Sequence, residues 1–115
     1  MIRVYVAGPF DSPNVIVVRD NIHNAIRAAD KLLVAGYAPF VPHLCHAWHA
    51  LFYHDREEWL RYDREFLEVC HVLLRLPGKS AGADDEVQRM RVLGRPVYRD
   101  VDQLIQGYKT KKAGG

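Results

Sequence analysis

Two periods of apolar spacing alternate along this chain, and the switches between them lay out an order of elements. Ile2 to Val6 is a short run rich in β-branched residues with Tyr5 inside it, the pattern of a strand, and Ala7-Gly8-Pro9 breaks it into a turn that ends at Phe10. Asp11 or Ser12 before Pro13 reads as an N-cap with proline at the first helical position. Beyond it Ile22, Ala25, Ile26, Ala29, Leu32 and Leu33 share one helical face, while Asn21, Asn24, Arg27, Asp30 and Lys31 share the other. Val15 to Val18 is β-branched and fits a strand as well, so the helix start stays open. Gly36 closes the helix, and Ala38 to Val41 is a second short strand ended by Pro42.

From His43 to Asp55 no period holds, and the segment reads as a loop or broken helix covering a crevice. Arg56 to Val69 returns to a helical pattern, with Trp59, Leu60, Phe66, Leu67 and Val69 apolar among charged residues. Asp63 lies four residues after Trp59 and four before Leu67, so it shares their apolar face. A carboxyl there is either paired with an arginine, the commoner arrangement, or kept for proton transfer with a raised pKa. Val72 to Leu76 is a buried strand, Ala83 to Leu93 a helix with Val87, Met90 and Leu93 in register, Pro96 to Tyr98 a strand and Val101 to Tyr108 a helix. Strands alternating with helices predict an α/β fold: a three-layer Rossmann or flavodoxin-like parallel sheet of four or five strands, with helices on both faces.

The stretch Leu76-Pro77-Gly78-Lys79-Ser80-Ala81-Gly82-Ala83-Asp84-Asp85-Glu86 joins the central strand to its helix. Such turns open on the carboxyl edge of the sheet, where ligands bind, and the Gly8 turn opens on the same edge. Ser80 stands in reach of a helix N-cap, and Asp84, Asp85 and Glu86 put three negative charges at the positive end of the helix. Read from position alone, Glu86 is either a helix-start charge or a carboxylate leaning over the crevice.

Composition narrows the function without choosing it. The chain has 115 residues, 49% hydrophobic and 26% charged, with a formal charge of +2; that is room for one domain at 1–108, with a basic and glycine-rich tail at 109–115. Basic residues are scattered apart from that tail, so a nucleic-acid polymer is not an expected partner. No apolar run approaches the roughly 20 residues of a membrane span. Two separated cysteines, Cys45 and Cys70, and no leader-like opening fit reduced thiols in the cytoplasm. His43, His46 and His49, at spacings of three, could share a helical face and bind zinc with Asp55, but no accompanying motif supports it, and no metal is expected. The Cys45 neighbours His43 and His46 do not by themselves make a nucleophilic dyad.

Three separated motifs resemble the nucleoside 2-deoxyribosyltransferase-like superfamily, which includes 2-deoxynucleoside 5'-monophosphate N-glycosidases. Tyr5-Val6-Ala7-Gly8-Pro9-Phe10 is similar to the opening strand and substrate-binding turn, Tyr62-Asp63 to the place of the acid, and Ser80-Ala81-Gly82-Ala83-Asp84-Asp85-Glu86 to an S-x-G-x-x-x-E nucleophile motif. The resemblance implies attack by Glu86 on the anomeric carbon of a nucleoside or its 5'-monophosphate, with Asp63 protonating the leaving base. It also implies that Tyr5, Gly8, Pro9, Phe10, Ser80 and Gly82 bind substrate, with Ser80 toward a 5'-phosphate. No cofactor is implied, and a homo-oligomer is. Val87 to Met90 after the glutamate, and His71 before the central strand, depart from the usual pattern; the alternative is a non-catalytic nucleotide-binding module of the same fold.

Overall fold

A computed structural model describes residues 1–109; the expected tail lies outside the described residues from position 110 onward. Four strands, β1 (Arg3–Ala7), β2 (Ala38–Phe40), β3 (Val72–Arg75) and β4 (Val97–Tyr98), form one parallel sheet in the order β2-β1-β3-β4. Tyr5 pairs with Phe40 on one side and Leu73 on the other. Helices α1 (Val15–Val34), α2 (Cys45–Leu51), α3 (Arg56–Val69), α4 (Ala81–Val92) and α5 (Val101–Gly107) connect and cover the strands, with a 3-10 turn at Pro42–Leu44 leading into α2.

Side-chain alternation splits the core into two layers. Ile2, Val4, Val6, Val72 and Leu74 pack with Ala25, Ala28, Ala29 and Leu32 of α1 and Leu104 of α5. Tyr5, Ala7 and Leu73 face the other way, onto Leu67 of α3 and Ala83, Val87 and Met90 of α4. The sheet is therefore the middle layer of a three-layer, doubly wound α/β fold. Each fully buried Val or Leu contributes roughly 1.5 to 3 kcal/mol, and Val4, Val6, Val72 and Leu73 have no exposed surface. The same parity aims Arg75, at the end of β3, toward α4.

Two expectations for α1 are corrected. Its N-cap is Asn14, whose side chain accepts from the Ile16 amide at 2.9 Å, rather than Asp11 or Ser12. Ser12 instead accepts from the Asn14 amide at 3.1 Å, so Pro13 lies in the turn before the helix. The buried stripe runs through the small residues Ala25, Ala28 and Ala29, which let the helix approach the sheet closely, and leaves Ile26 and Leu33 exposed. The segment after β2 is a broken helix, as its missing period predicts.

Chain order brings the ligand edge together. From β1 the connections run outward to β2 on one side and, later, to β3 on the other, so the strand order reverses between β1 and β3. The turns after these two strands interlock there. A Cβ on Gly8 would stand 2.9 Å from Cβ of Leu76, and one on Gly78, where φ is +114°, would stand 2.7 Å from Cγ of Pro9. Each turn needs its glycine because the other turn fills the space.

Candidate active site

Ser80 is the N-cap of α4: its hydroxyl accepts from the Ala83 amide at 3.1 Å. This start places Gly82 and Glu86 on the helix face turned toward α3, one turn apart. On α3, capped by Asp55 accepting from the Glu58 amide at 2.9 Å, the facing residues are Arg56, Leu60, Asp63, Arg64 and Leu67. Between the two helices lies a cavity of about 340 Å³ lined by both sets, together with Asp85 and Arg89. Glu86 and Asp63, 23 positions apart in sequence, thus share one hollow.

Both carboxyls are protonated more readily than usual. Burial raises Asp63 to about 7, and its Oδ1 is buried with no hydrogen-bond partner among the described residues. Asp63 is therefore not the arginine-paired residue that its position alone favours. Glu86 is also raised to about 7, first by burial, with the Asp63 and Asp85 charges adding to it and the Tyr5 hydrogen bond and Arg75 opposing it. Tyr5 donates its hydroxyl to Oε2 of Glu86. Burial, then the two carboxylates, holds that phenol far above its ordinary range, so it remains a donor. Tyr5, expected among the substrate contacts, is fully buried and reaches the cavity through Glu86.

Of the remaining expected residues, Gly82 lines the cavity, while Gly8, Pro9 and Phe10 form the neighbouring turn. His43 Nε2 meets the Pro9 carbonyl oxygen at 3.0 Å, and Phe10 sits edge-on against His43 and His46, with ring centroids 5.7 and 5.8 Å away. The other histidines disperse. His49 Nδ1 accepts from the Trp59 indole at 2.9 Å, and His54 Nδ1 lies 2.9 Å from Glu58. Among the described residues no three His, Cys, Asp or Glu side chains are arranged to hold a metal ion, so the zinc arrangement does not form. The Cys45 thiol, raised to about 11 by burial and then by the Asp63 charge, is not a ready thiolate.

Arg75 escaped the sequence reading because it closes an apolar run. Its guanidinium is buried and fans over the loop: Nη1 donates to the Leu76 carbonyl at 2.5 Å, and Nη2 to the Gly78 carbonyl at 3.0 Å and to Asp84 Oδ1 at 2.9 Å. The fork fixes the turn that delivers α4. An aromatic cluster was also missed. Phe40 stacks on Phe66 at 4.3 Å between centroids, and Trp48, Trp59 and Tyr62 meet edge to face beside them. Only the spacing of Trp59, Tyr62 and Phe66 along one helix signalled it.

No family model matches this chain, and no curated protein matches it by sequence. Solved structures do share its fold. A conserved protein from Enterococcus faecalis V583 superposes with a TM-score of 0.68 at 19% identity, covering 84% of this chain and 61% of its own. A 2-deoxyribosyltransferase from Bacillus psychrosaccharolyticus superposes with a TM-score of 0.64 at 16% identity, covering 96% and 94%. The present chain therefore spans 61% of the Enterococcus protein's length and nearly all of the transferase's. These likenesses establish the flavodoxin-like α/β fold. No helix among the described residues is long and apolar enough to cross a membrane.

Proposed function

We propose that this protein cleaves or transfers the N-glycosidic bond of a nucleoside or nucleoside 5'-monophosphate through a covalent glycosyl-Glu86 intermediate. The observation that carries this reading is the pair of carboxyls in one cavity, Glu86 bonded to Tyr5 and Asp63 unpartnered beside it. Fold likeness to a 2-deoxyribosyltransferase supports it by analogy.

The reacting state is the singly protonated pair, with the proton on Asp63. The Tyr5 donor favours this arrangement because it stabilises the Glu86 carboxylate. An oxygen of Glu86 forms a bond to the anomeric carbon as the carbon–nitrogen bond breaks, and the departing base takes the Asp63 proton. Water or a second base then attacks the same carbon, returns a proton to Asp63 and frees Glu86. Water makes the protein a hydrolase; a base makes it a transferase. Ser80 and the amides at the start of α4 are suited to a 5'-phosphate, while Gly8, Pro9 and Phe10 frame the sugar.

A non-catalytic nucleotide-binding module is the competing reading. It expects Glu86 tied to an arginine, whereas the arginine nearest this loop, Arg75, is bonded to Asp84. Incubating wild type and Glu86→Ala with nucleosides and nucleoside 5'-monophosphates, with and without a second base, separates the two readings. Base release or exchange that disappears in Glu86→Ala is expected. Nucleotide binding without turnover would establish the module instead.

A further inference from the structure

Asp63 is flanked on the cavity wall by two arginines of its own helix, Arg56 and Arg64. Neither forms an ion pair or a side-chain hydrogen bond among the described residues, although α3 is rich in acids. The reason is local. Arg64 has Glu68 four residues on, its ordinary helical partner, but Glu68 is bonded across to Arg89 of α4 at 2.6 Å. Arg56 has Trp59 and Leu60 at the equivalent positions, and Asp55 beside it caps the helix through the Glu58 amide. Arg56 also opens the helix, at the positive end of the macrodipole, where a cation is disfavoured. Nor do these guanidinium groups serve the carboxyls: burial alone accounts for the raised Asp63, and the arginine that acts on Glu86 is Arg75.

Two cations without a side-chain partner among the described residues thus stand on the wall that carries the proposed acid. We propose that Arg56 and Arg64 form an anion subsite on the leaving-group side of the cavity, so that the heterocycle released toward Asp63 is acidic or bears a carboxylate. Asp63 faces the leaving group only under the glycosyl-transfer reading, and the assignment of side rests on that reading. The guanidinium groups pair an oxyanion of the heterocycle, while Leu60, which lies between them on the helix, meets its ring. Arg89, already held by Glu68, joins α3 to α4 at the cavity and keeps its two walls together.

The test uses free heterocycles, which have no bond to cleave, so it reads the subsite apart from turnover. Orotate and urate are titrated into wild type beside uracil and hypoxanthine at pH 7.5, then into Arg56→Gln/Arg64→Gln, with ribose 5-phosphate as a third ligand. Orotate or urate is expected to bind about tenfold tighter than its neutral counterpart. The double variant should lose most of this roughly tenfold preference, about threefold for each arginine, with the advantage shrinking as salt is raised and neutral affinity unchanged. Equal affinity for acidic and neutral rings, persistence of the preference in the double variant, or no binding of either acid overturns the proposal. Loss of ribose 5-phosphate binding alone in the variant places the anion on the sugar and overturns the leaving-group assignment. Arginine-dependent orotate binding in a protein that turns nothing over leaves the anion subsite standing and removes the glycosyl reading.

Discussion

The Tyr5 hydroxyl on β1 donates to Oε2 of Glu86 on α4, across 81 positions of sequence. The bond joins the strand that starts the fold to the helix that carries the candidate nucleophile. Tyr5→Phe keeps the ring in the core and removes only the donor. Above neutrality a buried carboxylate oxygen is then unpaired, at a cost of about 1 to 3 kcal/mol. Because the bond holds Glu86 down against its burial, its loss raises that carboxyl further. The acidic limb of a pH–rate profile should move to higher pH, and thermal melts should show a deficit that grows with pH. A variant whose limb stays in place would separate Tyr5 from the ionisation of Glu86.

Two carboxyls raised to about 7 in one cavity predict a bell-shaped rate, highest near neutrality, where the pair holds a single proton. Activity falls at lower pH as Glu86 is neutralised and at higher pH as Asp63 loses its proton. Asp63→Asn should abolish the alkaline limb together with most turnover of substrates whose base leaves poorly. Initial rates from pH 5 to 9 measure this; a rate that climbs steadily with pH would contradict the shared-proton state.

Stability carries the same signature with a definite sign. The ordinary Asp63 value is 3.8 and the folded value about 7, so between them the native state holds a proton that the unfolded chain has released. The stabilisation is complete below the lower value and lost as pH rises through the upper one. Asparagine cannot ionise. Relative to wild type, Asp63→Asn should therefore gain stability from pH 4 to pH 8, by on the order of 2 kcal/mol once partial solvent exposure is allowed for. Urea denaturation at the two pH values gives the difference, and parallel behaviour of the two proteins would refute it.

Arg75 joins geometry to charge, and two substitutions separate them. Arg75→Met strips donors from the Leu76 and Gly78 carbonyls and should cost about 2 kcal/mol while moving the acidic limb of the rate upward. Arg75→Lys restores the charge but not the planar fork. It should return the pH profile toward wild type and leave the melting temperature low. Recovery of both by lysine would make the fork unnecessary.

Ser80 caps α4, and the proposed function also gives it a phosphate to meet. Ser80→Ala should cost about 1 kcal/mol through the cap alone. Ser80→Asp keeps the cap and adds negative charge, so stability should hold while nucleotides weaken relative to nucleosides. Calorimetric titration of a nucleoside and its 5'-monophosphate into each variant decides it; an unchanged ratio would leave Ser80 as a cap only.

The parallel sheet with helices on both faces was legible because short apolar runs such as Ile2 to Val6 and Val72 to Leu76 alternate with helical periods, a property of residues near one another in sequence. Asp63 and Ser80 were legible for the same reason, each having a place fixed by its own helix. What stayed hidden depends on distant partners. Val15 to Val18 has β-branched strand chemistry, yet Asn14 starts a helix there, and α1 seats alanines rather than Ile26 and Leu33 because the sheet approaches closely. Arg75 was masked by its apolar neighbours until Asp84 and the loop carbonyls supplied its partners. In isolation Glu86 reads either as a helix-start charge or as a carboxylate leaning over the crevice; the Tyr5 hydroxyl and Asp63 that surround it come from other elements.

The interlocked turns after β1 and β3 carry a lesson for anyone redesigning this site. With Gly8 seated under Leu76 and Pro9 under Gly78, neither loop is a replaceable part. A graft of residues 76–80 from another protein brings a side chain into space that 8–10 already occupies, so the two segments have to be exchanged as one cassette. In a mutational library the same four positions should vary as a correlated set, with enlargement on one loop surviving only beside a reduction on the other.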